Sequence, residues 1–216
     1  MIVAAAVCPP APALVPEVGV GLPEMVEIRA SAAAAVQTLI AAQPERIVVI
    51  GPREVPVDVD ESGGGTFAGF GVPFAAGGPN VTALPAAYTV AAWLLDQAEW
   101  TGPRLYSSSR PQLGHGEALL VMADSDTLVG VSAPTHGDPR AAKVAEVIAG
   151  ALATGDAQAL ADLDVDEAVE WEGTGIAPLQ LMGDMTKGAH IAARLRSDEA
   201  PFGVRYWVAD WQLTQR

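Results

Sequence analysis

The side chains with chemical reach in this chain are few: three histidines, one cysteine and a handful of charged groups near apolar runs. His115 stands in Leu113-Gly114-His115-Gly116-Glu117-Ala118-Leu119-Leu120-Val121-Met122, between two glycines. An imidazole of ordinary pKa exchanges protons near neutrality, which makes His115 the first candidate for acid/base chemistry. A loop histidine that only bonds a backbone carbonyl is the equal alternative. His136, in Ala133-Pro134-Thr135-His136-Gly137-Asp138, precedes a helix start and reads as an exposed loop residue. Arg53 follows Val48-Val49-Ile50-Gly51-Pro52, and Lys187 ends Gly183-Asp184-Met185-Thr186-Lys187. Two such cations can make a pocket for a carboxylate or phosphate. Alternatively each closes a salt bridge with Glu17, Glu54 or Asp184. Cys8 reads either as a thiolate ligand or as a small buried hydrophobe at a strand end.

The elements that position these groups follow from hydrophobic spacing. Ile2 to Val7 is a continuous apolar run of strand length that ends in prolines, the signature of a buried central strand. Pro23 opens a helix whose Met25, Ile28, Val36, Leu39 and Ile40 share a face and which stops before Pro44. Ile47 to Ile50 is the next strand, so the first fifty residues predict two parallel strands joined by a right-handed crossover. The glycines from Pro56 to Pro79 mark a long loop or loose hairpin, since a phosphate loop would need a following Gly-Lys-Ser/Thr. Pro85 begins a second helix with Tyr88, Trp93 and Leu94 inward. Arg104 to Ser107, Leu119 to Met122 and Leu128 to Ser132 read as strands. Asp138-Pro139 starts a helix to about Leu152, and short helices follow from Gly155-Asp156 and over Asp164 to Glu170. His190 is expected on the same helix or turn as Asp184. Val204 to Leu213 alternates as a strand, with Val204, Tyr206 and Val208 opposite Arg205, Trp207, Ala209 and Trp211.

Composition narrows the partners. A chain of 216 residues fits one domain, residues 1–216, able to bury on the order of 70% of its unfolded surface. A formal charge of −14 opposes nucleic acid and anionic membrane surfaces, leaving a small-molecule ligand or another protein, a second copy included. The single cysteine excludes an intrachain disulfide and a cysteine-cluster zinc site, and it fits a cytoplasmic protein. The apolar start lacks a basic region and is broken by Pro9, Pro10 and Pro12, so it reads as a strand and not as a signal or membrane segment.

Three segments carry a resemblance: Pro9-Pro10-Ala11-Pro12-Ala13-Leu14-Val15-Pro16-Glu17, Val48-Val49-Ile50-Gly51-Pro52-Arg53 and Gly183-Asp184-Met185-Thr186-Lys187. Their order and flanking strands are similar to the class III extradiol ring-cleaving dioxygenases, the LigB-like and Memo-like superfamily. That family reads roughly Pro-His-Pro-Pro-Leu-Leu-Ile-Pro-Glu, Ile-Ser-Pro-His and Gly-Asp-Leu-Ser-His at these places. Pro10, Arg53 and Lys187 stand where its iron-ligand histidines fall. The segment around His115 resembles the family's Leu-Asp-His-Gly stretch, with Gly114 in place of Asp, and the resemblance implies an acid/base role for His115.

The resemblance implies a three-layer α/β/α fold with a mixed central sheet. It implies a site beyond the carboxyl ends of the strands, where Cys8, Pro10, Arg53 and His115 would converge with Lys187. Fe(II) in this family needs two imidazoles and a carboxylate. Proline has no donor atom, and the two cations repel a divalent metal. No cofactor is therefore expected. The reading is a protein degenerate at the metal site that acts as an interaction protein or binds a small carboxylate or aromatic ligand, through Arg53, Lys187, Cys8 and Glu17 under the Phe67 to Phe74 loop. The alternative is an active ring-cleaving dioxygenase with Fe(II) on a rearranged set, His115, His190 and Asp184 or Glu17.

Overall fold

The computed structural model describes residues 1–52, 58–128, 139–170 and 174–214. The apolar run at the start forms β1 (Ile2–Cys8), and the amphipathic segment after it forms α1 (Met25–Ala41). β2 (Arg46–Ile50), α2 (Ala86–Gln97), β6 (Arg104–Ser107) and β7 (Glu117–Met122) follow. Between β2 and α2 lie the short β3 (Val59–Asp60) and the hairpin of β4 (Gly64–Thr66) and β5 (Ala75–Gly77). β8 (Asp124–Leu128) continues from β7. α3 (Pro139–Thr154), α4 (Ala157–Ala161), α5 (Val165–Glu170) and α6 (Ala177–Thr186) precede the closing β9 (His190–Glu199) and β10 (Val204–Thr214). No helix among the described residues is long and apolar enough to cross a membrane.

Eight strands make one sheet along the path β3-β6-β2-β7-β1-β10-β8, in which β10 pairs with β1 and β8 at different stretches of its length and with β9 as well. β6, β2, β7 and β1 run parallel, and β10 pairs antiparallel to β1, so the sheet is mixed. Side-chain alternation sends Ala4, Ala6, Cys8, Val49 and Leu120 to one face, under α1 and α2. Ala5, Val7, Val48, Leu119 and Val121 go to the other, under α3 to α6. This is the expected three-layer α/β/α architecture.

The crossovers from β1 to β2 and from β2 to β6 carry α1 and α2 over the first face. The return from β6 to β7 goes the opposite way along the sheet, and a uniform crossover hand then requires the opposite face. It has no helix. Residues 108–116 cross as an extended segment against α6, with Leu113 packed into that second core.

Polar locks fasten the closing hairpin. Arg196 on β9 donates to Asp210 on β10 and, at 3.0 Å, to the Thr38 hydroxyl on α1. Arg205 forks onto Asp198 and reaches Glu146 on α3 at 2.7 Å. The Trp211 indole donates to the Leu152 carbonyl at 2.9 Å inside the second core.

Several expectations shift. The strand expected over Leu128 to Ser132 begins earlier, as β8, and residues 129–132 lie outside the described residues. His190 opens β9 instead of sharing a helix with Asp184, because Gly188, at φ +80, turns the chain out of α6. The Phe67 to Phe74 loop does not cover a site at the α6 face. Its hairpin packs on α2, with Phe67 fully buried and its ring 5.0 Å from Phe74 in the first core.

Two glycines in helices test this packing with opposite signs. A Cβ on Gly183 would lie 2.4 Å from the Ala161 nitrogen and 2.7 Å from the Ala157 carbonyl, so α4 and α6 must move apart. A Cβ on Gly150 of α3 would meet nothing within 4 Å. Gly183→Ala is expected to destabilise by about 1–3 kcal/mol through overpacking, and Gly150→Ala to stabilise by about 0.4–1 kcal/mol. Urea unfolding of both variants measures it. Equal effects of one sign would refute the close α4–α6 contact.

Candidate functional site

The parallel strands give the sheet two edges with different chemistry. Cys8, Ile50, Ser107 and Met122 end their strands on the carboxyl edge, whereas Ile2, Arg46, Arg104 and Glu117 begin theirs on the amino edge. From Ile2 to Cys8 the chain climbs about 20 Å.

His115 falls on the amino edge, and this corrects the expected convergence. It lies exposed in the segment that enters β7. Gly116 is held there by a 2.7 Å bond from the Glu45 nitrogen to its carbonyl, and the Glu117 nitrogen donates to the Met1 carbonyl at 3.1 Å. The register of β1 and β7 therefore keeps His115 and Cys8 at opposite ends of the strands. Lys187 is also on the amino side, in a hollow of about 460 Å³ that Met1 and Leu113 line with it. Its ammonium meets Asp184 at 2.7 Å, the salt bridge that the sequence offered as an alternative. That ion pair holds the Asp184 carboxyl below its ordinary pKa, chiefly through the hydrogen bond from Lys187, with Arg110 adding a smaller push.

On the carboxyl edge, Cys8 is fully buried under α1. Burial pushes its thiol up from 9.0 to about 12, the Asp210 charge adds to the rise, and Arg196 partly offsets it. Such a sulfur is a packing group and not a thiolate ligand. Pro10 follows it, half-buried, and Glu17 is exposed on the turn before α1. Arg53 lies outside the described residues, as does His136.

The rearranged metal set is not assembled. No three His, Cys, Asp or Glu side chains gather as a metal site among the described residues. His115 enters β7 and His190 starts β9, three strand spacings apart, or about 14 Å. At the positions that the resemblance assigns to iron ligands, Pro10 offers no donor and the Lys187 ammonium is a cation already paired. These residues do not fit Fe(II).

What the carboxyl edge does hold is a cleft of about 520 Å³ between the end of β2, the β6–β7 crossover and α6. Gly51, Ser108, Ser109, Arg110, Gln180 and Asp184 supply its polar wall. The crossover is shaped by Ser107. Its hydroxyl donates to the Ser109 carbonyl at 3.1 Å and accepts from the Ser109 nitrogen at 3.3 Å, turning the chain back over the α6 face. Arg110 is thereby exposed at the cleft, and it makes no hydrogen bond or ion pair among the described residues.

The other wall is pinned from the opposite face of the sheet. The Tyr88 hydroxyl on α2 bonds the Pro52 carbonyl at 2.9 Å and lies 3.1 Å from the Ser107 carbonyl, tying the ends of β2 and β6 together. Gly51 is required there, since a Cβ would stand 2.9 Å from the Tyr88 ring. Ser108, Ser109 and Arg110 were not singled out by the sequence reading. The available signal was a serine run ending in Arg just beyond a predicted strand.

The state of Cys8 predicts a pH response. Its folded pKa lies above its unfolded one, so the neutral thiol favours the folded state equally below about pH 9, and that advantage is lost as pH rises from 9 toward 12. Native protein at pH 8 is expected to resist a thiol reagent that labels it in urea, and Cys8→Ala should flatten the loss of stability above pH 9. Rapid labelling of native protein would contradict the burial.

Compared with known proteins, the chain matches no family model and no curated sequence.

Proposed function

We propose that the chain is a LigB-like domain that binds a small organic carboxylate in the carboxyl-edge cleft and does not cleave aromatic rings. The observation that carries this reading is Arg110, a guanidinium with no hydrogen bond or ion pair among the described residues, beside Ser109 in a half-open cleft of about 520 Å³. A guanidinium offers two parallel N–H donors, the geometry that a carboxylate accepts. The exposed Ser109 hydroxyl lies in the same cleft, whereas the Gln180 amide is already given to the Leu163 carbonyl at 2.9 Å. The site sits beyond the carboxyl ends of parallel strands, where ligand crevices of open α/β sheets form. The resemblance supports the LigB-like assignment through the order of its segments, and Pro10 and Lys187 argue against iron chemistry because their atoms cannot ligate the metal there. A cytoplasmic setting fits the single cysteine.

The chain's charge of −14 opposes anions at long range but leaves short-range pairing intact, because the screening length at physiological salt is only about 8 Å. Monoanions are therefore favoured over multiply charged ligands. A calorimetric screen of small aliphatic and aromatic monocarboxylates tests the reading. Arg110→Met removes a charge-assisted hydrogen bond of about 1.5–3 kcal/mol, which raises Kd about 10- to 150-fold. Absence of any binder, or binders indifferent to Arg110→Met, would reject the proposal.

A further inference from the structure

The cleft carries an acid as well as a base. Asp184 faces it from α6, close enough to Arg110 to feel its charge. Lys187 takes the Asp184 Oδ1 at 2.7 Å, and no bond to Oδ2 is formed among the described residues. A bare carboxylate bound at Arg110 would lie beside this second carboxylate and be repelled by it. A ligand that brings its own cation removes the conflict and pairs both ends of the site. It also approaches a chain of charge −14 without net repulsion. Ala177 and Leu181, both half-buried, give the cleft an apolar side, and about 520 Å³ is more than two charged groups fill.

From this we infer that the ligand is a zwitterionic amino acid with an apolar side chain, its carboxylate on Arg110 and Ser109, its ammonium on Asp184, and its side chain against Ala177 and Leu181. The inference rests on the reading above that the cleft binds a carboxylate, and it adds the second charge and the side chain.

Isothermal titration of the full chain with matched pairs tests it: L-phenylalanine against 3-phenylpropionate, L-leucine against 4-methylpentanoate, and L-tryptophan against 3-indolepropionate. At least one amino acid is expected to bind ten or more times tighter than its deaminated partner. Asp184→Asn should bring the two within threefold while leaving the deaminated acid no weaker, an outcome that a merely structural role for Asp184 would not give. If the deaminated acids bind as well as the amino acids, or if only they bind, the inference fails and the carboxylate reading stands. If neither member of any pair binds and the wider carboxylate screen is also empty, both fail together. Phenethylamine binding as tightly as L-phenylalanine would also overturn both, because the carboxylate would then contribute nothing.

Discussion

Insertion of β7 between β1 and β2 is the constraint on which the remaining structure depends. β7 pairs in parallel with both neighbours, Leu119 facing Ala5 on one side and Val48 on the other, so both edges of this buried strand are bonded within the sheet. For β7 to enter that slot the chain must return from β6 to the amino edge, and it does so by the helix-free crossover at 108–116. That crossover brings Ser108, Ser109 and Arg110 over the α6 face at one end and leaves His115 at the other. The same ladder thus creates the cleft and removes the histidine from it.

Small side chains make the arrangement possible. Ala4, Ala5 and Ala6 are all fully buried in β1, three successive positions that alternate between the two cores. They let α1 approach one face while α3 to α6 lie on the other. Gly183 does the same for α4 and α6. It belongs to a segment that resembles an iron-ligand motif, yet its local reason is steric, because any side chain would strike the α4 backbone. A glycine needed for helix packing and a glycine of a site motif look alike in a sequence.

The elements with clear periodicity were legible from the residues alone. β1, α1, β2, α2 and β6 follow from apolar spacing and proline punctuation, and the two faces of β10 were assigned correctly from Tyr206 and Val208 against Trp207 and Trp211. Strand β9 was not, since His190, Ala192 and Arg194 are exposed on one side while Ile191, Ala193 and Leu195 are only partly buried on the other. That weak alternation carries little signal. The site was less legible still. Placing His115 with Cys8 required knowing which end of β7 its segment feeds, a property of strand direction that residue types do not encode. Lys187 was readable as half of a salt bridge because Asp184 stands three residues before it, at helical spacing.

The charges of the chain divide by whether they are already spent. Arg196 is held by Asp210 and Thr38, Arg205 by Asp198 and Glu146, Arg46 by Glu117, and Arg104 by Asp96. Each of these cations joins elements across the sheet, and removing any one would leave an acid without its partner. In an acidic protein, pairing is the expected fate of a guanidinium. Arg110 differs because the Ser107 turn presents it to the cleft, while Lys187 already takes one oxygen of Asp184, an acid that feels the Arg110 charge. Pairing of one Asp184 oxygen with Lys187 thus leaves its other oxygen and the Arg110 guanidinium both facing the cleft without a bond among the described residues, and the ion pair at the end of α6 belongs to the architecture of the cleft as much as to the stability of the helix.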